Sequence, residues 1–204
     1  AASYSRQPAP SSQFDLEREA VAIANLPSLE VAQKTAVVRI PGFLSSSEAD
    51  ALLALIDDDE IRSEAAVKER DAYGVKHGNI AVDAPWCTTY LHSSETFMKL
   101  HKEGLVKKLK EAALATSGAC EALGVSGEVL SRCVPRTIEI HVAGKRGGLV
   151  NPKHFDGGSQ VTFDILLTDS KEFEGGSFTT LEAGGDVKER EFEKGDLIMF
   201  ASHK

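Results

Sequence analysis

Apolar residues recur at every second position over much of the second half of the chain. Val161, Phe163, Ile165 and Leu167 follow one another in this way, and the run Thr137-Ile138-Glu139-Ile140-His141-Val142 alternates likewise. A period of two is that of a strand with two unlike faces. Ser177–Leu181, Glu189–Phe192 and Leu197–Phe200 are further short extended runs, separated by Gly175-Gly176, Gly184-Gly185 and Gly195-Asp196. Gly144 and Gly147-Gly148 predict a turn, and His154 to Asp156 a short extended piece. The first half has a different period. Ala36–Ile40 is a β-rich run that Pro41-Gly42 breaks. Ser45 and Glu48 form a capping box ahead of Ala49, Leu52, Leu53 and Ile56, which share one helical face. Residues 60–85, charged and with Gly74 and Gly78, predict a long loop with some helix. Trp86–Leu91 predicts a strand. Ser94 caps a helix over Glu95–Thr116, whose buried stripe is Leu105, Leu109, Ala112 and Ala113, with lysines opposite. Gly118, Gly124 and Gly127 punctuate the stretch after that helix.

Residues 1–34 carry little pattern beyond a short helix at Leu16–Ala24, and Pro8, Pro10, Ser11 and Ser12 predict a flexible N-terminal arm suited to wrapping a protein partner. Residues 35–204 then form the folded domain. Helices first and a run of short antiparallel strands afterwards predict an α+β fold with a barrel or jelly-roll core flanked by N-terminal helices.

Composition narrows the function. The chain has 204 residues, 42% of them hydrophobic, which suits one packed domain. Its net charge of −8 argues against a nucleic-acid surface. Lys107, Lys108 and Lys110 read as a solvated helix face. Cys87, Cys120 and Cys133 make neither a CxxC pair nor a disulfide framework, which favours an intracellular reducing compartment or an organelle. No apolar run approaches the roughly 20 residues of a membrane span. The Ala-, Ser- and Pro-rich start, without Met, reads as a processed or trimmed end and has no signal-peptide core. Asp57-Asp58-Asp59 lacks the spacing of a calcium loop and reads as a solvated helix end. His77, His92 and His101 read as surface or satisfied core residues, and Trp86 and Tyr90 as core. Glu172-Phe173-Glu174 reads as a solvated turn. No Gly-x-Ser-x-Gly elbow is present, and Gly144–Gly148 lacks the phosphate-loop spacing.

The pattern with the most chemistry is His154-Phe155-Asp156. On a strand, residues two apart project to one side, so this imidazole and carboxylate can share one face of a metal ion. Two histidines and a carboxylate on one face leave three open positions, the arrangement of non-haem iron(II) oxygenases. A surface turn, with Pro152 before it and Gly157-Gly158 after it, is the alternative.

The wider context resembles the prolyl 4-hydroxylase-like iron(II)/2-oxoglutarate-dependent dioxygenases. The resemblance rests on the stretch from Arg136 through Pro152-Lys153-His154-Phe155-Asp156 to Thr168, then Phe173-Glu174-Gly175-Gly176, then Gly195-Asp196-Leu197-Ile198-Met199-Phe200 followed by Ala201-Ser202-His203. Gly42-Phe43-Leu44 and the capping box also resemble that family's approach to its first helix. The resemblance spans about residues 36–204 and implies a double-stranded β-helix, cupin-like core. It implies iron(II) held by His154, Asp156 and a distal histidine, with 2-oxoglutarate as cosubstrate and ascorbate as a further cofactor. The implied reaction is hydroxylation of a C–H bond on a protein or small-molecule substrate. His203 is one candidate for the distal ligand; a histidine about two residues beyond Lys204 is the other, with the basic anchor for 2-oxoglutarate later still. Many relatives carry a tyrosine where Val142-Ala143 stand, and His141 is the polar side chain nearest that position. Lys145, Arg146 and residues 60–85 are candidate substrate-facing elements. The rival expectation is a non-catalytic member of the fold, serving as an interaction or assembly subunit.

Overall fold

The computed structural model describes residues 37–70, 75–77, 80–82, 86–144, 156–181 and 187–202. In chain order these form β1 (Val38–Ile40), α1 (Ser46–Leu53), α2 (Asp59–Glu64), β2 (Ala66–Arg70), β3 (Val75–His77), β4 (Ile80–Val82) and β5 (Trp86–Tyr90). There follow α3 (Glu95–Leu100), α4 (Lys102–Ala115), α5 (Ala119–Ala122), α6 (Gly127–Arg132), β6 (Glu139–Ala143), β7 (Val161–Ile165), β8 (Phe178–Leu181), β9 (Val187–Arg190) and β10 (Leu197–Ala201). The arm over residues 1–34 and its expected helix lie outside the described residues.

Side chains set the helix starts. The Ser45–Glu48 capping box is present at α1, and the Ser94 hydroxyl accepts from Phe97 N at α3. The Asp57–Asp59 run is exposed and ends one helical segment while beginning the next: Asp57 N–H donates to Ala54 O at the close of the 3-10 turn Ala54–Ile56, and Asp58 accepts from Glu60 N at 3.1 Å and Ile61 N at 2.9 Å at the start of α2. The acids thereby sit at the positive end of the helix dipole. The expected loop over 60–85 instead holds α2 and the strands β2, β3 and β4. Charge concealed β2: it is an edge strand, where lysine and glutamate are tolerated and hinder unwanted pairing. The helix expected over Glu95–Thr116 is two helices. His101, at φ −119°, interrupts it with its ring stacked on Phe97 at 5.9 Å. Of the three lysines, Lys108 bonds Glu48 at 2.6 Å and lies 5.2 Å from the Phe43 ring centre, while Lys110 donates to Ser131 O. The Lys108 ammonium, and then the Ser45 N–H and hydroxyl, hold the Glu48 carboxyl down at about 2.

The strands are antiparallel throughout, in ladders of order β1-β10-β7, β2-β5-β6, β3-β4 and β8-β9. The fold is thus mixed α+β, and the described strands do not join into one closed barrel. β10 is the middle strand of the first sheet. Leu197, Ile198, Met199 and Ala201 are all fully buried, as expected of a strand covered on both sides. The two faces differ. Leu197 and Met199, with Val38, Ile40, Val161, Phe163 and Ile165 from the neighbouring strands, pack against Leu109, Ala112 and Ala113 of α4 and against Leu123 and Leu130. On the opposite face Phe200 meets Phe178 of β8, ring centres 5.9 Å apart, and Phe178 meets Phe192 at 5.6 Å. A second cluster joins Ile140 of β6 to Ile61, Ala65, Leu91 and Phe97. α4 serves both, giving Leu105 to the second cluster and Leu109 to the first. Each large side chain fully buried here contributes roughly 1.5–3 kcal/mol of transfer free energy.

The turn into β10 is the tightest joint. Gly195 has φ +84°, and a Cβ there would lie 2.2 Å from Leu44 O. The Gly195 carbonyl accepts from Leu44 N, and its N–H donates to Leu166 O, each at 2.8 Å. Asp196 is 3% exposed. Its carboxylate accepts from Gly42 N at 2.9 Å, Glu193 N at 2.9 Å and Arg39 Nε at 2.7 Å. Burial pushes the Asp196 carboxyl up, but the Gly42 and Glu193 N–H groups and the Arg39 guanidinium together outweigh it and hold the group below the usual aspartate range.

This joint generates two expected outcomes. Asp196→Ala strands Arg39 and two backbone donors, and should cost about 3 kcal/mol or more in urea unfolding. Because its folded value is depressed, Asp196 contributes stability that is fully present above the unfolded value of about 3.9 and is lost as pH falls through the lower folded value. The loss of stability below about pH 4 should therefore be shallower in Asp196→Asn than in the parent. An unchanged acid limb would refute the assignment.

Candidate metal centre

The β7–β10 register determines which side chains share a side. Phe200 pairs with Thr162, and Ala201 with Val161. Val161 and Ala201 therefore project with the helix-covered face, and Thr162 projects with Phe200 to the other. The alternation continues to Ser202, which is 1% exposed. A polar pair, Thr162 and Ser202, thus lies at the end of the sheet on the side away from α4.

Asp156 is fixed to this pair. Its N–H donates to Ser202 O at 2.8 Å, and its carbonyl accepts from Ser159 N at 3.2 Å. Ser202 N in turn donates to Gln160 O at 3.1 Å. The Thr162 hydroxyl donates to Asp156 Oδ2 at 2.6 Å and lies 2.8 Å from the Ser202 hydroxyl. A hydroxyl has one proton. Since Thr162 gives its proton to the carboxylate, Ser202 donates to Thr162. The half-buried Asp156 carboxylate is thus oriented by a two-hydroxyl relay that starts from the residue just after β10.

His141 lies in the second sheet, opposite Thr88. Its Nδ1 is 3.2 Å from Thr88 Oγ1 and its Nε2 is 3.2 Å from Glu139 Oε2. Neighbouring Ile140 turns into the helix-packed cluster, so His141 projects away from the helices, as Thr162 does in the first sheet.

His154 and His203 lie outside the described residues, as do Lys145 and Arg146. Among the described residues no group of three or more His, Cys, Asp or Glu side chains could hold a metal ion. His92 Nδ1 is 3.1 Å from both the N and the O of Ile138, a structural role, and the His101 ring stacks on Phe97. Thr162 and Ser202 do not stand out in the sequence. Their only signal is a hydroxyl on the polar side of an alternating strand and another just ahead of His203.

The relay should behave as one unit. Thr162→Val is expected to cost about 1–2 kcal/mol and Ser202→Ala about 1 kcal/mol in denaturant unfolding. The double variant should cost clearly less than the sum, because the second hydroxyl acts through the first. Strict additivity would show two independent contacts.

No family model, curated protein or solved structure matches this chain.

Proposed function

We propose that this chain is an iron(II)- and 2-oxoglutarate-dependent dioxygenase of the prolyl 4-hydroxylase-like type, built on a jelly-roll core and hydroxylating a C–H bond of its substrate. The observation that carries the reading is the attachment of Asp156 to Ser202. It brings the carboxylate of the His-x-Asp motif to the chain immediately before His203, although the two lie far apart in sequence.

The donor set fits a hard divalent ion that keeps open positions. Asp156 supplies the carboxylate and His154, two positions earlier, an imidazole. His203 follows directly from the residue whose carbonyl Asp156 grips; a histidine beyond Lys204 is the alternative third ligand. Thr162 and Ser202 fix the carboxylate by hydrogen bonds, the support that ligating carboxylates ordinarily have. With iron(II) and 2-oxoglutarate held there, O₂ would be the oxidant, one oxygen atom going into succinate as 2-oxoglutarate loses CO₂ and the other into the substrate C–H bond. The protein's residues hold the donors, orient them and exclude water. His141, on the side of its sheet away from the helices, is the candidate polar partner for 2-oxoglutarate. Phe178 meeting Phe200 across β10 supports a second layer over the sheet, as a jelly-roll requires.

Anaerobic addition of iron(II) and 2-oxoglutarate should give the weak visible charge-transfer absorption of the chelate. Asp156→Ala and His154→Ala should abolish it. Thr162→Val should keep the band while weakening iron affinity by roughly 10- to 100-fold. His203→Ala separates the two candidates for the third ligand. Neither band nor iron uptake in this chain and in a version extended past Lys204 would overturn the reading and leave the assembly-subunit alternative.

A further inference from the structure

Arg136 stands just ahead of β6, and it packs against the turn that succeeds Asp156. A Cβ built on Gly158 would lie 3.4 Å from Arg136 Nε and 3.6 Å from Cζ, so the guanidinium group lies against the bare face of that glycine. Gly158 has φ +85°, a conformation that other residues rarely adopt. The turn thus offers the arginine a flat backbone surface with no side chain in between. Arg136 is exposed, and among the described residues it has no hydrogen-bond or ion-pair partner. This sets it apart from Arg39, which is paired with Asp196, and from Arg132, which is paired with Glu128 at 2.7 Å. Gly158 lies two positions past Asp156, a span of at most about 7 Å. The charge therefore lies at the rim of the candidate centre.

We infer that Arg136 is an anion-recognition residue of the substrate entrance and holds a carboxylate of the molecule presented to Asp156. The inference rests on the oxygenase reading for the identity of that molecule, but the anion site itself does not need the metal. A guanidinium is charged at every working pH and presents a planar fork of donors that matches a carboxylate two-point. Contact with Gly158 restricts the side chain, so less freedom is lost on binding than for an arginine wholly free in solvent. On a chain of net charge −8, an arginine with no partner among the described residues, close to Asp156, adds a local attraction for an anion. The position favours the primary substrate over the cosubstrate as the source of the carboxylate, since Arg136 is exposed at the rim.

The test uses metal-free, ¹⁵N-labelled protein titrated with sodium acetate at constant ionic strength. The expected result is saturable movement of the Arg136 Nε–Hε signal and of the Gly157 and Gly158 amides. Arg136→Gln should abolish the saturable movement, and Arg136→Lys should retain a weaker one without the two-point geometry. Asp156→Asn should leave it intact. Linear, non-saturating shifts, or the same shifts in Arg136→Gln, overturn the proposal. A second arm repeats the titration with iron(II) replaced by zinc and 2-oxoglutarate present at saturation. Acetate binding that persists there supports the primary substrate as the source, and competition between the two assigns the residue to the cosubstrate and overturns the substrate role. The charge-transfer band reports on the oxygenase reading separately, so a failed band with intact acetate binding condemns that reading and not this site.

Discussion

The course of the last described strand depends on the buried carboxylate of Asp196. It collects a guanidinium from β1, a backbone N–H from the turn after β1 and another from the turn that leads into β10. β1 and its turn are far in sequence from the turn before β10, and no single hydrophobic contact could specify their register as sharply. An apolar side chain there would pack equally well one residue along; a carboxylate with three donors would not. Removing one partner of such a set leaves the others buried and unsatisfied, which makes the arrangement close to all-or-none. Gly195 adds the steric half of the constraint, because its carbonyl and its bare α-carbon let the chain touch the backbone at Leu44. The Gly-Asp pair that looked like a family signature is therefore also a structural joint.

Once β10 is fixed, the rest of the first sheet is determined by alternation. β10 is buried on both sides, but its sides are not equivalent. One carries only aliphatic residues and meets α4, whose Leu109, Ala112 and Ala113 complete a dry layer. Any polar chemistry must then project from the other side. Thr162 and Ser202 do so, and Asp156 is bound to them. The second sheet obeys the same rule: Ile140 turns toward Phe97 and Ile61, and His141 turns away. The helical layer thus does more than cover the core. It leaves one side on which charged and hydroxyl-bearing side chains can gather.

The same physics decides how much could be read in the sequence. Strong local signals were legible: the Ser45–Glu48 capping box, the Ser94 cap, and β7, β8 and β10, whose period and flanking glycines leave little choice. Signals that need a partner were not. β2 reads as a charged loop because it is an edge strand, and only its pairing with β5 makes it one. The Asp57–Asp59 run reads as a helix end, and Asp57 is one; that Asp58 also caps a new helix depends on where the chain goes afterwards. The break at His101 is not announced by the sequence either; there the ring stacks on Phe97 and the backbone leaves the helical path at φ −119°. At the candidate centre, the spacing of Asp156 to His154 singled it out in the sequence, whereas nothing there singled out the contacts of Thr162, Ser202 and Arg136. Their roles come from contacts across the sheet and the turn, and residue type alone does not announce such contacts.

Among the described residues, two hydroxyls support the Asp156 carboxylate, Thr162 directly and Ser202 through Thr162. A neutral hydroxyl fixes the position of a carboxylate without offsetting its negative charge, as a lysine or arginine would. The Ser202 end of this relay is buried, which shields its hydrogen bond to Thr162 from water. Arg136 lies against Gly158 with its guanidinium clear of any described partner, and so adds its charge at the rim without cancelling that of the carboxylate. A site of the proposed kind, with a cation at its base and an anion at its edge, would need this separation.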